Sequence, residues 1–106
     1  MDSGSRKDTL LDMLTKEPKD VFLNYALAVE LYSEQKFVEA KHQFLKTLDL
    51  DATYLACYYQ LGQTLEKMDK QKDALEYYKK GLELAKQQKN QKAINEINEA
   101  IWLLEE

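Results

Sequence analysis

The chain has one cysteine, one proline and three glycines among its 106 residues. A lone cysteine, Cys57, cannot form a disulfide within the chain, which fits a reducing compartment. With so few Gly and Pro, little of the sequence carries the turn chemistry of short-stranded all-β folds. No segment approaches the roughly 20 consecutive apolar residues that span a bilayer. The opening stretch, MDSGSRKDTLLDML, lacks the apolar run of a secretory signal. The formal net charge is -4, and acidic and basic residues alternate without long runs. Nucleic-acid binders usually carry a basic patch, so a nucleic-acid partner is not expected. These absences lead to the expectation of a cytoplasmic protein without membrane attachment.

Residues that build helices are abundant. Glu, Lys, Leu, Ala and Gln dominate, and 44% of the chain is hydrophobic against 32% charged. That composition favours an all-α protein. The length suggests a single domain with one modest core.

Two blocks repeat. AKHQFLKTLDL (40–50) aligns with ALEYYKKGLEL (74–84), pairing Ala40 with Ala74, Phe44 with Tyr78, Leu48 with Leu82 and Leu50 with Leu84. The offset is 34 each time, and upstream it also pairs Leu27 with Leu61, Ala28 with Gly62 and Leu31 with Leu65. A fixed offset of this length indicates a duplicated helical hairpin. Hydrophobic periodicity predicts six helices, over about 6–16, 20–34, 37–50, 54–68, 71–88 and 91–105. Ser5 with Asp8, and Asp20, read as helix N-caps. The expected core stripes include Leu10, Met13 and Leu14 in the first helix and Leu23, Leu27 and Leu31 in the second. Phe37, Ala40, Phe44 and Leu48 serve the third, and Tyr54, Tyr58, Leu61, Leu65 and Met68 the fourth. Ala74, Tyr78, Gly81, Leu82 and Ala85 follow in the fifth, and Ile94, Ile97, Ile101 and Leu104 in the sixth.

The period of 34 and the pattern L-[AG]-x-x-L…A-x-x-x-[FY]…L-x-L resemble the tetratricopeptide repeat (TPR) family. The resemblance implies a right-handed α-solenoid of antiparallel helix pairs. Residues 1–20 would be an N-terminal half repeat, 21–54 the first repeat, 55–88 the second and 89–106 a closing helix. Asn24 stands where the family favours a large aromatic, Thr47 and Gly81 replace a usual alanine, and Ala52 and Lys86 a usual proline. Without that second proline, the fifth helix can run on past residue 86. A solenoid needs a terminal helix that is polar outside, and NQKAINEINEAIWLLEE has that character.

The stretch VFLNYALAVELY (21–32) contains more apolar surface than one core face needs. Beyond its leucines, Phe22, Tyr25, Val29 and Tyr32 form a second stripe at spacings of 3, 4 and 3. The resemblance points these positions into a concave groove, joined by Tyr59 and Gln63 from the second repeat, with Glu66 beyond them. This groove is the candidate site for a protein or peptide ligand, apolar over the first repeat and polar over the second. Two readings stay open for the stripe: a binding surface, or packing against a terminal helix. The carboxylate clamp of some TPR proteins is not expected, because Tyr25, Val29 and Gln60 occupy its lysine and asparagine positions. A self-associating scaffold, joined through the groove or near Trp102 and Leu103, is the alternative function.

Catalytic chemistry is not indicated. His42 and Cys57 are the only residues of their kinds, too few for a zinc site, and no histidine lies within helical reach of Cys57. There is no Gly-rich phosphate loop, so neither a cofactor, a metal nor an enzymatic activity is expected. The repeat register makes a direct prediction. Ala74→Glu would bury a charge at a helix contact and lower stability by several kcal/mol, on the order of 3, as a fall in thermal midpoint; an unchanged midpoint would put Ala74 outside the core.

Overall fold

The computed structural model describes residues 5–106; the first four residues of the expected half repeat lie outside them. The described residues form six α-helices and no strand: α1 (Arg6–Lys16), α2 (Val21–Ser33), α3 (Phe37–Leu50), α4 (Leu55–Lys67), α5 (Gln71–Gln87) and α6 (Gln91–Glu105). The helices are those predicted from periodicity. The residues trimmed from the expected spans, among them Asp20, Glu34, Met68 and Gln88, are caps. Ser5 Oγ accepts from the Asp8 N–H at 3.1 Å and Asp20 Oδ1 from that of Leu23 at 2.8 Å, satisfying donors that a helix start leaves open. Asn90 does the same for α6, accepting from Ala93.

Two compact units divide between Ala52 and Thr53. In the first, α2 lies between α1 and α3; in the second, α5 packs against both α4 and α6. The six residues expected in the core, Leu27, Leu61, Ala40, Ala74, Phe44 and Tyr78, are all buried. Ala28, Ala40 and Ala74 are fully enclosed, which lets the helix backbones approach closely. Thr47 and Thr64 are also fully buried, and each hydroxyl donates to the carbonyl four residues back, at 2.9 and 2.8 Å. Burying these hydroxyls therefore leaves no polar atom unsatisfied.

The expected stripes were too wide in places. Met13 is 46% exposed, because α1 has α2 as its neighbour and turns that flank to solvent. Leu31, Phe37, Leu48, Tyr54, Tyr58, Met68, Leu82, Ile94, Ile101 and Leu104 are half-buried and edge the core. Within α6, Ile97 and Ala100 carry the fully buried contact.

Three turns share one geometry without a glycine. Gln35, Asp69 and Lys89 adopt φ of 63°, 60° and 55°. In each, the next residue's N–H bonds back five residues: Lys36 to Leu31, Lys70 to Leu65 and Asn90 to Ala85, at 2.9 to 3.0 Å. These bonds close the helix C-terminus as a Schellman motif, at a position normally given to glycine. The first two lie 34 residues apart; the third comes only 20 residues later, after α5 has run three residues past Leu84, the counterpart of the α3 terminus Leu50.

Glycine instead sits mid-helix, for packing. A Cβ on Gly62 would overlap the ring of Tyr78, and one on Gly81 would lie 2.7 Å from Tyr58 Cβ. Moving glycine in the two directions should therefore have opposite effects. Asp69→Gly relieves a left-handed side chain and should raise stability by about 1 kcal/mol. Gly62→Ala gains about 1 kcal/mol of helix propensity but strikes a buried ring, and should lower stability by a net ~1–2 kcal/mol. Chemical denaturation of both variants checks the pair; a Gly62→Ala protein more stable than its parent would contradict the packing.

Candidate functional site

The stretch 21–32 forms most of α2, and both of its polar residues are used. Asn24 is fully buried, although it stands where the family resemblance favours an aromatic. Its amide nitrogen donates to the carbonyls of Pro18 at 3.0 Å and Asp20 at 2.8 Å, while its side-chain oxygen accepts from Gln43 Nε2 at 2.6 Å. One side chain thus ties the turn before α2 to α3. Glu30 receives Arg6 Nε at 3.1 Å, and Glu34 receives Lys7 Nζ at 3.1 Å and Lys36 Nζ at 3.4 Å. The hydrogen bond between Lys7 and Glu34 raises the lysine pKa and lowers the carboxylate's. The Arg6 and Lys7 pairs fasten α1 to the C-terminal half of α2, and the small cluster of Leu10, Leu14, Leu23 and Ala26 joins the same two helices. Leu11, Leu14, Leu27 and Gln43 border a shallow depression of about 270 Å³ in this unit.

The apolar stripe occupies one side of α2. Phe22 is 58% exposed, and Tyr25, Val29 and Tyr32 are half-buried. The tyrosines are not bystanders to the core. Tyr25 tilts against the buried ring of Phe44, with centroids 5.9 Å apart, and Tyr32 meets Phe37 edge-on at 5.5 Å. In the second unit, Tyr59 and Gln63 share one side of α4, both half-buried. Tyr59 tilts against Tyr78, again at 5.9 Å. Since 25 plus 34 is 59 and 44 plus 34 is 78, the repeat recurs as a ring pair.

The polar end read from the sequence has a structural cause. Tyr78 is fully buried, so its hydroxyl needs partners. It donates to Glu66 Oε2 at 2.5 Å and accepts from Gln63 Nε2 at 2.9 Å. Burial, followed by the bond to Glu66, pushes the Tyr78 pKa well above the usual tyrosine range. The first repeat has Phe44 in place of Tyr78, and there Val29 and Tyr32 stand where Gln63 and Glu66 do. Gln63 and Glu66, both half-buried, thus answer the extra hydroxyl. Sequence periodicity could not show this pairing, though the Phe-to-Tyr and Val-to-Gln changes at matched positions carry its signal.

Cys57 is fully buried, and burial pushes its thiol pKa up to about 12, far from a working nucleophile at neutral pH. Among the described residues, no group of three or more His, Cys, Asp or Glu side chains is placed to hold a metal ion. No helix among them is long and apolar enough to cross a membrane.

The sequence model of the family described as anaphase-promoting complex, cyclosome, subunit 3 matches residues 7–81. Among solved structures, a tetratricopeptide repeat domain protein from Salinibacter ruber is similar in both its NMR and crystal forms. The identities are 33% and 32%, covering 83% and 81% of this chain and 89% and 96% of the other, with TM-scores of 0.77 and 0.76. The chain belongs to the tetratricopeptide repeat family. A protein from Bordetella parapertussis shares the fold at a TM-score of 0.86 and 23% identity, over 94% of this chain and 87% of its own. No curated protein matches this TPR chain in sequence. The fold is all-α and built of helix pairs, and TPR folds are in general protein–protein interaction modules.

The matched hydroxyl network can be transplanted. Phe44→Tyr would place a hydroxyl at the position of Tyr78 without its glutamine and glutamate, and should lower stability by about 1–3 kcal/mol. Adding Val29→Gln and Tyr32→Glu to that variant should restore part of the loss. Thermal melting of the single and triple variants reads this out; a triple variant melting below the single one would break the equivalence.

Proposed function

We propose that this TPR protein binds a peptide or helix of a protein partner through the apolar stripe of α2, Phe22, Tyr25, Val29 and Tyr32. Tyr59 and Gln63 of α4 act at the matching positions of the second repeat. The observation that carries this reading is the exposure of Phe22 at one end of the apolar side of α2. Exposed apolar surface of this kind marks interaction sites, and aromatic rings are favoured anchors because they bring large contact area at small entropic cost. The surface that α2 offers is apolar, and the one that Gln63 and Glu66 offer on α4 is polar. The protein acts by binding, without catalysis, and a cytoplasmic location suits its single buried cysteine.

The ring pairs decide which residues give a clean test. Tyr25 and Tyr59 lean on Phe44 and Tyr78, so their removal would lower stability as well as binding. Phe22 and Val29 have no such aromatic contact among the ring pairs described, and Phe22 is mostly exposed. The Phe22→Ala, Val29→Ala double variant should lose about 1–2 kcal/mol of partner binding per anchor, roughly tenfold or more in affinity. Its thermal midpoint should shift by only a few degrees. Capture of the native partner at parental strength by this folded variant would exclude the α2 stripe as the binding surface.

A further inference from the structure

We propose that the depression in the first unit docks an acidic segment of a partner protein, holding one bulky apolar side chain between α1 and α3 and an adjacent carboxylate against Lys46. α1 and α3 each pack on α2, and the depression lies where the three helices meet. Leu11, Leu14 and Thr15 of α1 line one side of it, Gln43 and Lys46 of α3 the other, with Leu27 of α2 between them. All three walls are consecutive helices of one unit.

Three features of the lining set the chemistry of the occupant. The first is a surplus leucine. Leu10 and Leu14 belong to the cluster that joins α1 to α2, whereas Leu11 lies outside it and is 44% exposed. Together with Leu14 and Leu27 it offers apolar surface to a side chain that water would otherwise surround. The second is a held acceptor. Gln43 Nε2 donates to Asn24 Oδ1 at 2.6 Å, which fixes the amide. Its side-chain oxygen accepts no bond among the described residues, and no buried polar side-chain atom among them lacks a partner, so that oxygen is open to solvent. It is free to accept a backbone N–H of a bound segment. The third is a single cation. Lys46 is exposed, is the one charged residue of the lining, and makes no ion pair among the described residues. A carboxylate beside the bound side chain meets attraction there, and a lysine or arginine meets repulsion.

Size favours a peptide side chain over a free small molecule. The volume of about 270 Å³ falls below the roughly 300–1,000 Å³ of small-molecule sites. The surface is also separate from the α2 stripe. At roughly 100° per residue, Asn24 and Leu27 lie about 150° round the helix from the middle of Phe22, Tyr25, Val29 and Tyr32. The two surfaces can therefore be blocked one at a time.

Titration of the nitrogen-15-labelled full chain with blocked tripeptides, followed by amide chemical shifts, tests the proposal. The probes carry Leu, Phe or Trp followed by two aspartates, and matched controls carry two asparagines instead. Saturable shifts should gather at Leu11, Thr15, Gln43 and Lys46 with at least one aspartate probe. Its asparagine counterpart should bind roughly two- to fivefold more weakly, the range of an exposed ion pair. Lys46→Gln should remove that difference, and Leu11→Ala should weaken both peptides. Both residues are exposed, so the variants should fold, and well-dispersed amide spectra confirm it; Lys46→Ala and Leu11→Gln replace either variant if it does not. The Phe22→Ala, Val29→Ala variant should bind the probes as the parent does, which keeps this surface distinct from the α2 reading. Absence of saturable shifts with all three probes overturns the proposal. So do shifts centred on Phe22 and Val29, or an aspartate preference that persists in Lys46→Gln.

Discussion

Each unit is organised around one large buried ring, and the rest of the unit is shaped by what that ring requires. In the first unit it is Phe44 on α3; in the second it is Tyr78 on α5, and both are fully enclosed. A ring between two close helices needs a small residue opposite, which is why a Cβ at Gly62 would run into Tyr78. It also needs a cover, and Tyr25 and Tyr59 supply it at the same 5.9 Å separation. The one added oxygen of Tyr78 then recruits Gln63 and Glu66. An unpaired buried hydroxyl costs more than its hydrogen bonds return, so the change from ring to phenol sets the chemistry of two more positions on the facing helix.

The repeat made the helices and the enclosed core legible, because period and offset depend on residue type alone. Ala40, Phe44, Ala74 and Tyr78 could be placed by counting. Other features depend on geometry that counting does not encode. The αL residues Gln35, Asp69 and Lys89 give no glycine signal, and backbone bonds to Leu31, Leu65 and Ala85 hold them in a conformation their side chains disfavour. Met13 has the spacing of a core residue, yet with α2 as the neighbour of α1 it stays 46% exposed. Asn24 looked like a defect in the repeat, and its surroundings make it a fastening. It joins the Pro18 turn to α2, and through Gln43 joins α2 to α3, with its donors and acceptor all used.

Much the same gap separates the candidate site read from sequence from the surface in the structure. A helical wheel divides residues into sides, but Tyr25 and Tyr59 serve two sides at once. Each turns one flank to the buried ring and leaves part of itself exposed. A binding surface built this way shares atoms with the core, and the sequence pattern cannot apportion them. Phe22, at the N-terminal end of the stripe, is the member whose exposure is unambiguous.

That sharing has a thermodynamic consequence for a module that works by binding. A ligand that grips Tyr25 or Tyr59 also restrains the rings of Phe44 or Tyr78, and anything that binds only the folded state stabilises it in proportion to its saturation. The unit's core and its ligand are then coupled through a single aromatic contact of 5.9 Å. In the second unit the coupling would extend further, because Gln63 and Glu66, both half-buried, hold the Tyr78 hydroxyl. A basic ligand group drawn to Glu66 would compete with that hydroxyl for the carboxylate, and so bind less tightly than an exposed glutamate would suggest. In the first unit no hydroxyl stands at Phe44, so a ligand on the apolar side of α2 would meet no such competition. On the proposed reading, the stronger anchoring would fall on Phe22 and its neighbours, and Gln63 and Glu66 would contribute discrimination more than affinity.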